Sequence, residues 1–255
     1  MEGQYNLFDY DLETVTLKEL SNYKIRNKVR LIELFAGVGS QAMALKRLGV
    51  DFEHYRVVEF DKYPVASYNA IHGTNFEPMD ITKINGIDLG IVDVERFTYL
   101  LTYSFPCQDL SVAGKGRGMT KGSGTRSGLL WEVERLLNEV ENLPQVLLME
   151  NVPQVHGAKN MNDFQSWIDF LESKGYTNFW QDLNAKNYGV AQNRNRTFMV
   201  SILGRAKFKF PEPIELKYIM KDYLEDSVEE KYYVTSPKAI ELIDRLKEEG
   251  TLKNL

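Results

Sequence analysis

A doubly wound α/β fold with a mostly parallel sheet is predicted for this chain from three observations. Short apolar runs alternate with segments of helical period along most of its 255 residues. The runs are rich in branched and aromatic side chains, as strands buried on both faces are. Glycine, proline or polar residues punctuate the junctions, so each strand is separated from the next by a crossover helix.

The alternation begins at Val29, where VRLIELF reads as a buried strand, AGVGS as a flexible turn and QAMALKRLG as a helix stopped by Gly49. YRVVEF is the second strand, and PVASYNAIHG is a helix with Pro64 at its start and Gly73 past its end. A third strand, or the loop after it, is expected around Asp80 in MDITKI. YLLTYSF, LLWEVERLLNEV, QVLLME and MNDFQSWIDFLESKG continue the pattern as strand, helix, strand and helix, and NFWQDL and RTFMVSIL are the last strands. Residues 1–28 are expected to be a surface arm, residues 29–205 the folded domain, and residues 206–255 a linker that ends in a charged helix from Lys238 to Glu249. No internal repeat or low-complexity stretch interrupts this order.

Composition narrows the function classes. With 43% apolar and 26% charged residues the chain can bury a full core. It lacks an apolar run of membrane-spanning length, and its N-terminus is acidic where a signal peptide is basic, so a cytoplasmic protein without membrane contact is expected. One cysteine and three histidines make a poor supply for a structural metal site, and no metal is expected. A net charge of −5 argues against simple wrapping of nucleic acid, whose phosphates are neutralised by clustered Lys and Arg.

In a doubly wound sheet, ligands bind beyond the carboxyl ends of the strands, and the chemistry-bearing residues fall there. The turn Phe35, Ala36, Gly37, Val38, Gly39, Ser40 lets a ligand approach the backbone, although its spacing is not that of the dinucleotide fingerprint; a plain tight turn is the alternative. Glu59 ends the second strand, placed to accept hydrogen bonds from ribose hydroxyls. Asp80 taken on its own reads first as a helix N-cap, and in company with the glycine turn and Glu59 as an acceptor for an adenine amino group. Cys107 follows a strand and precedes a loop containing Gly114, Lys115, Gly116, Arg117 and Gly118, an exposed setting for a thiol, as against a small buried apolar residue. Glu150 and Asn151 end another apolar strand and are expected to project into the crevice of Cys107, with burial making Glu150 an acid near neutrality. Arg194 and Arg196, two apart in extended chain, point the same way and could hold a phosphate or a base carbonyl, or form a solvated basic edge.

Taken in order, FAGVGS, EFDKY, DITKI, FPCQ, GLLWEVERL, ENVPQV and QNRNR resemble the motifs of the DNA cytosine-5 methyltransferase family over about Arg30 to Leu203. The most specific are Pro-Cys-Gln, Glu-Asn-Val and Gln-x-Arg-x-Arg. The resemblance implies a Rossmann-like methyltransferase fold with an antiparallel strand near its end, and S-adenosylmethionine as cofactor. It implies contacts to that cofactor from Phe35, Ala36, Gly37, Gly39, Glu59, Phe60, Asp80, Ile81, Pro106 and Leu129. Cys107, Glu150, Arg194 and Arg196 would face the target cytosine, with Gln108, Ser111, Asn151 and Gln192 in the surrounding substrate-side loops.

The implied chemistry is addition of the Cys107 thiolate to C6 of a cytosine flipped out of double-stranded DNA, then methylation at C5. The loop from Gln108 to Met119 is the candidate for closing over the flipped base. Ser40 departs from the family, which often has glycine there. Family members also continue into a target-recognition region and a final helix not found in these 255 residues. A second polypeptide as partner, or a removed C-terminal segment, is therefore expected to supply that region, with weak DNA binding by the chain alone. The expected setting is a bacterial or phage modification system, with methylation of tRNA and a partner-dependent subunit as the competing readings.

Overall fold

In a computed structural model of the protein, residues 23–110 and 117–250 are described. Six strands form one sheet: β1 (Lys28–Leu34), β2 (Phe52–Val58), β3 (Phe97–Tyr103), β4 (Val146–Asn151), β5 (Tyr176–Asn184) and β6 (Asn195–Leu203), in the spatial order β2-β1-β3-β4-β6-β5. β2, β1, β3 and β4 run parallel, and β6 lies antiparallel between β4 and β5. The helices are α1 (Ser40–Arg47), α2 (Lys62–His72), α3 (Leu130–Glu139), α4 (Met161–Ser173) and α5 (Pro237–Glu248). Among the described residues no helix is long and apolar enough to cross a membrane.

Strand alternation explains the two faces. Ile32 and Leu34 of β1 join Leu101, Leu147 and Met149 and the buried faces of α3 and α4, around Trp167, in the main core. Val29 and Leu31 point the other way, onto Ala42 of α1. Over β4 and β6 that second face carries Leu148, Phe198 and Val200, each half-buried. From Lys207 to Gly250 no residue is buried, and α5 buries none of its side chains.

One expected element is absent: no strand precedes Asp80. Between α2 and β3 the chain has only turns and a short 3-10 segment, Gly86–Leu89. Ile81, Ile84, Leu89 and Ile91 are buried there, but as anchors spread along a loop. Among the described residues β2 is the edge strand and its outer side is open, but no segment between α2 and β3 forms a ladder with it.

A polar residue interrupts the second face. Glu33 of β1 is 1% exposed, accepts from the Tyr68 hydroxyl (2.5 Å) and takes the backbone N–H of Ala42 (3.3 Å). Burial pushes its carboxyl up to about 7 against those two hydrogen bonds. Burial also raises the Tyr68 phenol far above its ordinary range, and burial with the charges of His72 and Lys46 lowers His54. The fold thus favours the protonated carboxyl. Its stability contribution is fully present below the ordinary value of 4.5 and is lost as pH rises through about 7, by about 3 kcal/mol. Glu33→Gln, which copies the protonated form, should therefore gain thermal stability over the parent at pH 8 and little at pH 4. Equal differences in melting temperature at both pH values would contradict this.

Candidate functional site

The site lies along the carboxyl ends of β1, β2, β3 and β4. β1 leaves the sheet through a turn with three left-handed residues, Phe35 (φ 57°), Gly37 (φ 55°) and Gly39 (φ 80°). A bulky side chain rarely adopts that conformation, and such strain is often found where a ligand is held. Two backbone bonds enforce it: the N–H groups of Phe35 (2.8 Å) and Ala36 (3.4 Å) both donate to the Val58 carbonyl at the end of β2. Gly37 has open space where a Cβ would stand, so a ligand can reach the backbone there. At Gly39 a Cβ would lie 2.4 Å from Nε2 of His72 and 2.6 Å from the Tyr68 ring, so this position admits only glycine.

Glu59 follows β2 and stands beside the turn. Its carboxylate accepts the N–H of Gly37 on Oε2 (3.1 Å) and that of Asp61 on Oε1 (3.0 Å), and each oxygen retains a lone pair for a further donor. Phe60, next in sequence, is 75% exposed, an apolar ring held out in solvent beside a fixed carboxylate. The Met79 N–H donates to the Glu59 carbonyl (2.8 Å) and brings Asp80 alongside. Asp80 caps a turn: its Oδ1 takes the amide (3.0 Å) and the hydroxyl (2.8 Å) of Thr82. Those bonds, with help from Lys83, hold its carboxyl below the usual range. Ile81 is buried in the core, with its carbonyl taken by Arg135 (2.9 Å).

The segment after β3 carries Cys107, partly buried against the core. Three braces fix its backbone. Asn151 Nδ2 donates to the Phe105 carbonyl (2.9 Å), the Ser127 hydroxyl donates to the Pro106 carbonyl (2.7 Å), and the Leu110 N–H donates to the Cys107 carbonyl (3.0 Å). Ser127 also accepts from the Asp109 amide (3.3 Å), so one hydroxyl spans the thiol-bearing turn. The Asp109 side chain, 3% exposed, takes Arg117 Nε (2.9 Å) and the Arg126 N–H (2.8 Å). Burial alone would raise this carboxyl, but the bonds from Arg117 and Arg126 outweigh it and hold it below the usual range. Gln108 is exposed, Leu129 half-buried at the start of α3, and Gln41 Nε2 reaches Ser104 Oγ (3.1 Å) to tie α1 to this segment. Ser111 lies outside the described residues, with half of the loop from Gln108 to Met119.

β4 ends in Glu150 and Asn151, which the sequence expectation sent into one crevice together. The structure separates them, because neighbouring strand residues face opposite sides. Asn151, 2% exposed, is consumed in bracing Phe105 and in accepting the Val152 N–H (2.9 Å). Glu150 points to the other face and is not deeply buried, with 22% of its side chain exposed. Arg196 Nε lies 3.0 Å from its Oε1 and Arg194 Nη2 3.9 Å, so the two arginines do point the same way, onto this carboxylate. Ion pairing rather than desolvation is what the fold provides at Glu150. Arg196 also donates to the Asn195 carbonyl (2.8 Å), while Gln192 is exposed in the turn ahead of β6.

Several supporting residues escaped the sequence reading. Asp109 sits in a turn and Ser127 opens a short 3-10 segment ahead of α3, and no local signal marks either. His156, which contacts both oxygens of Asp182 (3.0 and 3.2 Å), and Thr197, which donates to Asp182 Oδ1 (2.5 Å), tie the segment after Glu150 to β5 and β6. Glu33 could have been found: a carboxylate inside the apolar run VRLIELF has to be paired. Among the described residues no group of His, Cys, Asp or Glu is placed to hold a metal.

Comparison with known proteins bears on this geometry. Residues 29–253 match the family model of C-5 cytosine-specific DNA methylase. The chain is 34% identical over 254 residues to the type II methyltransferase M2.ScrFI of Lactococcus lactis subsp. cremoris, covering 81% of this chain and 70% of that protein. It is 35% identical to the orphan methyltransferase M.SssI of Spiroplasma monobiae, covering 71% of this chain and 61% of the relative. It is 30% identical to the type II methyltransferase M.HhaI of Haemophilus parahaemolyticus, covering 89% and 66% respectively. The chain thus spans about two thirds of the length of these relatives. Among solved structures, S. pombe Dnmt2 methyltransferase superposes with a TM-score of 0.68 at 20% identity, over 86% of this chain and 66% of that one, a likeness of fold.

Proposed function

This chain belongs to the C-5 cytosine-specific DNA methylase family, whose methyl donor is S-adenosylmethionine, and from that premise we propose that residues 29–205 methylate C5 of cytosine in DNA through a covalent Cys107 adduct. The observation that carries the proposal is the braced turn that holds Cys107 at the carboxyl edge of the sheet after β3, whose parallel neighbour β4 carries at its end the residue paired with Arg196, Glu150. The Asn151–Phe105 bond lies one residue from Glu150 and two from Cys107, which links the two strands at that edge.

The residues present fit the cofactor. Gly37 leaves backbone accessible, Glu59 offers acceptor capacity to ribose hydroxyls, and the exposed Phe60 ring offers a stacking face for a purine. Phe35, Ala36, Gly39, Pro106 and Leu129 would line the same pocket, and Asp80 follows Met79, which is bonded to the Glu59 carbonyl, with its own carboxylate turned to Thr82. When bound, S-adenosylmethionine supplies a methyl group on a positively charged sulfur, the electrophile that an activated C5 takes up.

The chain's own residues do the rest. Cytosine C5 is a poor nucleophile, so the Cys107 thiolate forms a bond to C6 and the C5–C6 double-bond pair moves to C5. Glu150 holds a proton at N3, which neutralises the negative charge that attack at C6 drives onto the ring. Arg196, fixed by its contact with Glu150, polarises the O2 carbonyl, and Arg194 adds positive charge at the rim. After methylation a base removes the C5 proton, the S–C6 bond breaks and the thiolate is released. The target carbon is unreachable in stacked duplex, so the base is flipped out, with Gln108 and Gln192 exposed on the loops that flank the opening.

Reading of the DNA sequence is placed outside the sheet domain. With no buried residue between Lys207 and Gly250, that stretch has no core to hold a recognition surface in shape. Further protein packed on it, in the same or a second polypeptide, would do so. The bacterial relatives favour a modification enzyme of a restriction system, acting in the cytoplasm.

The function is tested with radiolabelled S-adenosylmethionine and mixed-sequence duplex DNA, with and without the polypeptide encoded downstream, and with tRNA as a control. Label at C5 of cytosine in DNA is expected in at least one of the DNA arms. Label on tRNA alone would overturn the DNA assignment. For the cofactor cradle, Glu59→Ala should weaken S-adenosylmethionine binding by about 1.5 to 3 kcal/mol, the worth of hydrogen bonds to a charged acceptor. Unchanged calorimetric affinity would return Glu59 to a purely structural role.

A further inference from the structure

Beneath the glycine turn lies a cluster of polar groups that the mechanism does not use. His72 Nε2 meets the Val38 carbonyl at 3.1 Å, so Nε2 carries the hydrogen and donates it to the centre of the turn. The His72 ring packs on Tyr68, with centroids 4.5 Å apart, and on His54, 4.8 Å apart. The Tyr68 hydroxyl joins Glu33 Oε2 (2.5 Å) to His54 Nδ1 (2.6 Å), and Glu33 Oε1 takes the Ala42 N–H in the first turn of α1. The titratable groups facing this cluster are Glu33 from β1, Lys46 from α1, His54 from β2, and Tyr68 and His72 from α2.

We propose that Tyr68 and His72, backed by Glu33 and His54, are positioning residues for the cofactor: they form a polar floor that sets the shape of the Phe35–Ser40 turn. The inference rests on reading that turn as the cofactor cradle. The floor touches the turn at two successive residues: at Val38, through the His72 bond, and at Gly39, which has room only for a hydrogen against Tyr68 and His72. The turn's left-handed conformation is thus supported from below by side chains of α2, as well as from the side by Val58 and Glu59.

The floor keeps all its hydrogen bonds in either protonation state of Glu33. With the carboxylate ionised, Tyr68 O–H donates to Glu33 and His54 Nδ1–H donates to Tyr68. With it protonated, Glu33 O–H donates to Tyr68 and Tyr68 O–H donates to an unprotonated His54 Nδ1. One proton is present at each contact in both arrangements, so the turn is held on both sides of neutrality. Glutamine at position 33 reproduces the second arrangement, its amide N–H donating to Tyr68 and its carbonyl accepting from Ala42.

The experiment compares S-adenosylmethionine affinity by calorimetry for the parent, Tyr68→Phe, His72→Phe, Glu33→Leu and Glu33→Gln, with thermal melting to establish that each is folded. Loss of the His72–Val38 bond in His72→Phe, and of the two hydrogen bonds of the Tyr68 hydroxyl in Tyr68→Phe, should each weaken binding about threefold to tenfold. Glu33→Leu should weaken it similarly, and Glu33→Gln should restore the parent affinity. Nitrogen-15 NMR of the three histidines adds a direct readout. His72 should show a hydrogen-bonded Nε2–H that shifts when the cofactor is added, and His156 should not respond. Folded Tyr68→Phe and His72→Phe proteins with parental affinity would overturn the inference while leaving the cradle intact. No cofactor binding by the parent would overturn the cradle reading, and this inference with it.

Discussion

Cys107→Ser is expected to abolish methyl transfer, on the order of 10³-fold or more in the single-turnover rate, while leaving S-adenosylmethionine affinity within about twofold. A serine hydroxyl at this position is nearly isosteric, so the braces on Phe105, Pro106 and Cys107 persist, because all three engage backbone carbonyls. What is lost is the sulfur nucleophile that forms the bond to C6. The cofactor turn is built from β1, β2 and α2, and neither Glu59 nor the turn has a hydrogen bond to Cys107. Transfer within tenfold of the parent would remove Cys107 from the chemistry. Parallel loss of cofactor binding would make it a structural residue.

Glu150→Gln is the second large effect. The amide carbonyl can still accept from Arg196 Nε, 3.0 Å from Oε1 in the parent, so the position of the side chain is preserved. It cannot carry a transferable proton, and charge would accumulate on the ring when C6 is attacked. A fall in transfer rate of about 10²-fold to 10⁴-fold is expected, with cofactor affinity unchanged. A change confined to DNA affinity, with the rate of the bound complex retained, would recast Glu150 as a binding residue.

The doubly wound order was readable because each of VRLIELF, YLLTYSF and QVLLME is continuous in apolar character, which only a strand covered on both faces requires. The antiparallel placement of β6 between β4 and β5 was implied only by resemblance, since periodicity carries no direction. The missing strand near Asp80 shows the limit of local pattern: isoleucines spaced along a loop bury themselves without pairing. Cys107, Glu59 and the two arginines were legible as residue types at strand ends. Asn151 was misplaced because two adjacent polar residues look alike in sequence, whereas the pleat turns one inward to brace Phe105 and leaves the other at the site. Ser127, Asp109 and the Tyr68–His72 floor depend on contacts between segments far apart in the chain, and their spacing holds no record of those contacts.

A covalent bond from Cys107 to the pyrimidine ring can be trapped. Duplex DNA carrying 5-fluorocytosine at candidate sites is incubated with the protein and S-adenosylmethionine. Fluorine at C5 blocks the final proton loss, so the adduct should accumulate as a complex that survives denaturation. Peptide mass spectrometry should then place the nucleotide on the peptide containing Cys107, and Cys107→Ser should give no such complex. Attachment at another residue, or an adduct that forms equally well with Cys107→Ser, would contradict the account.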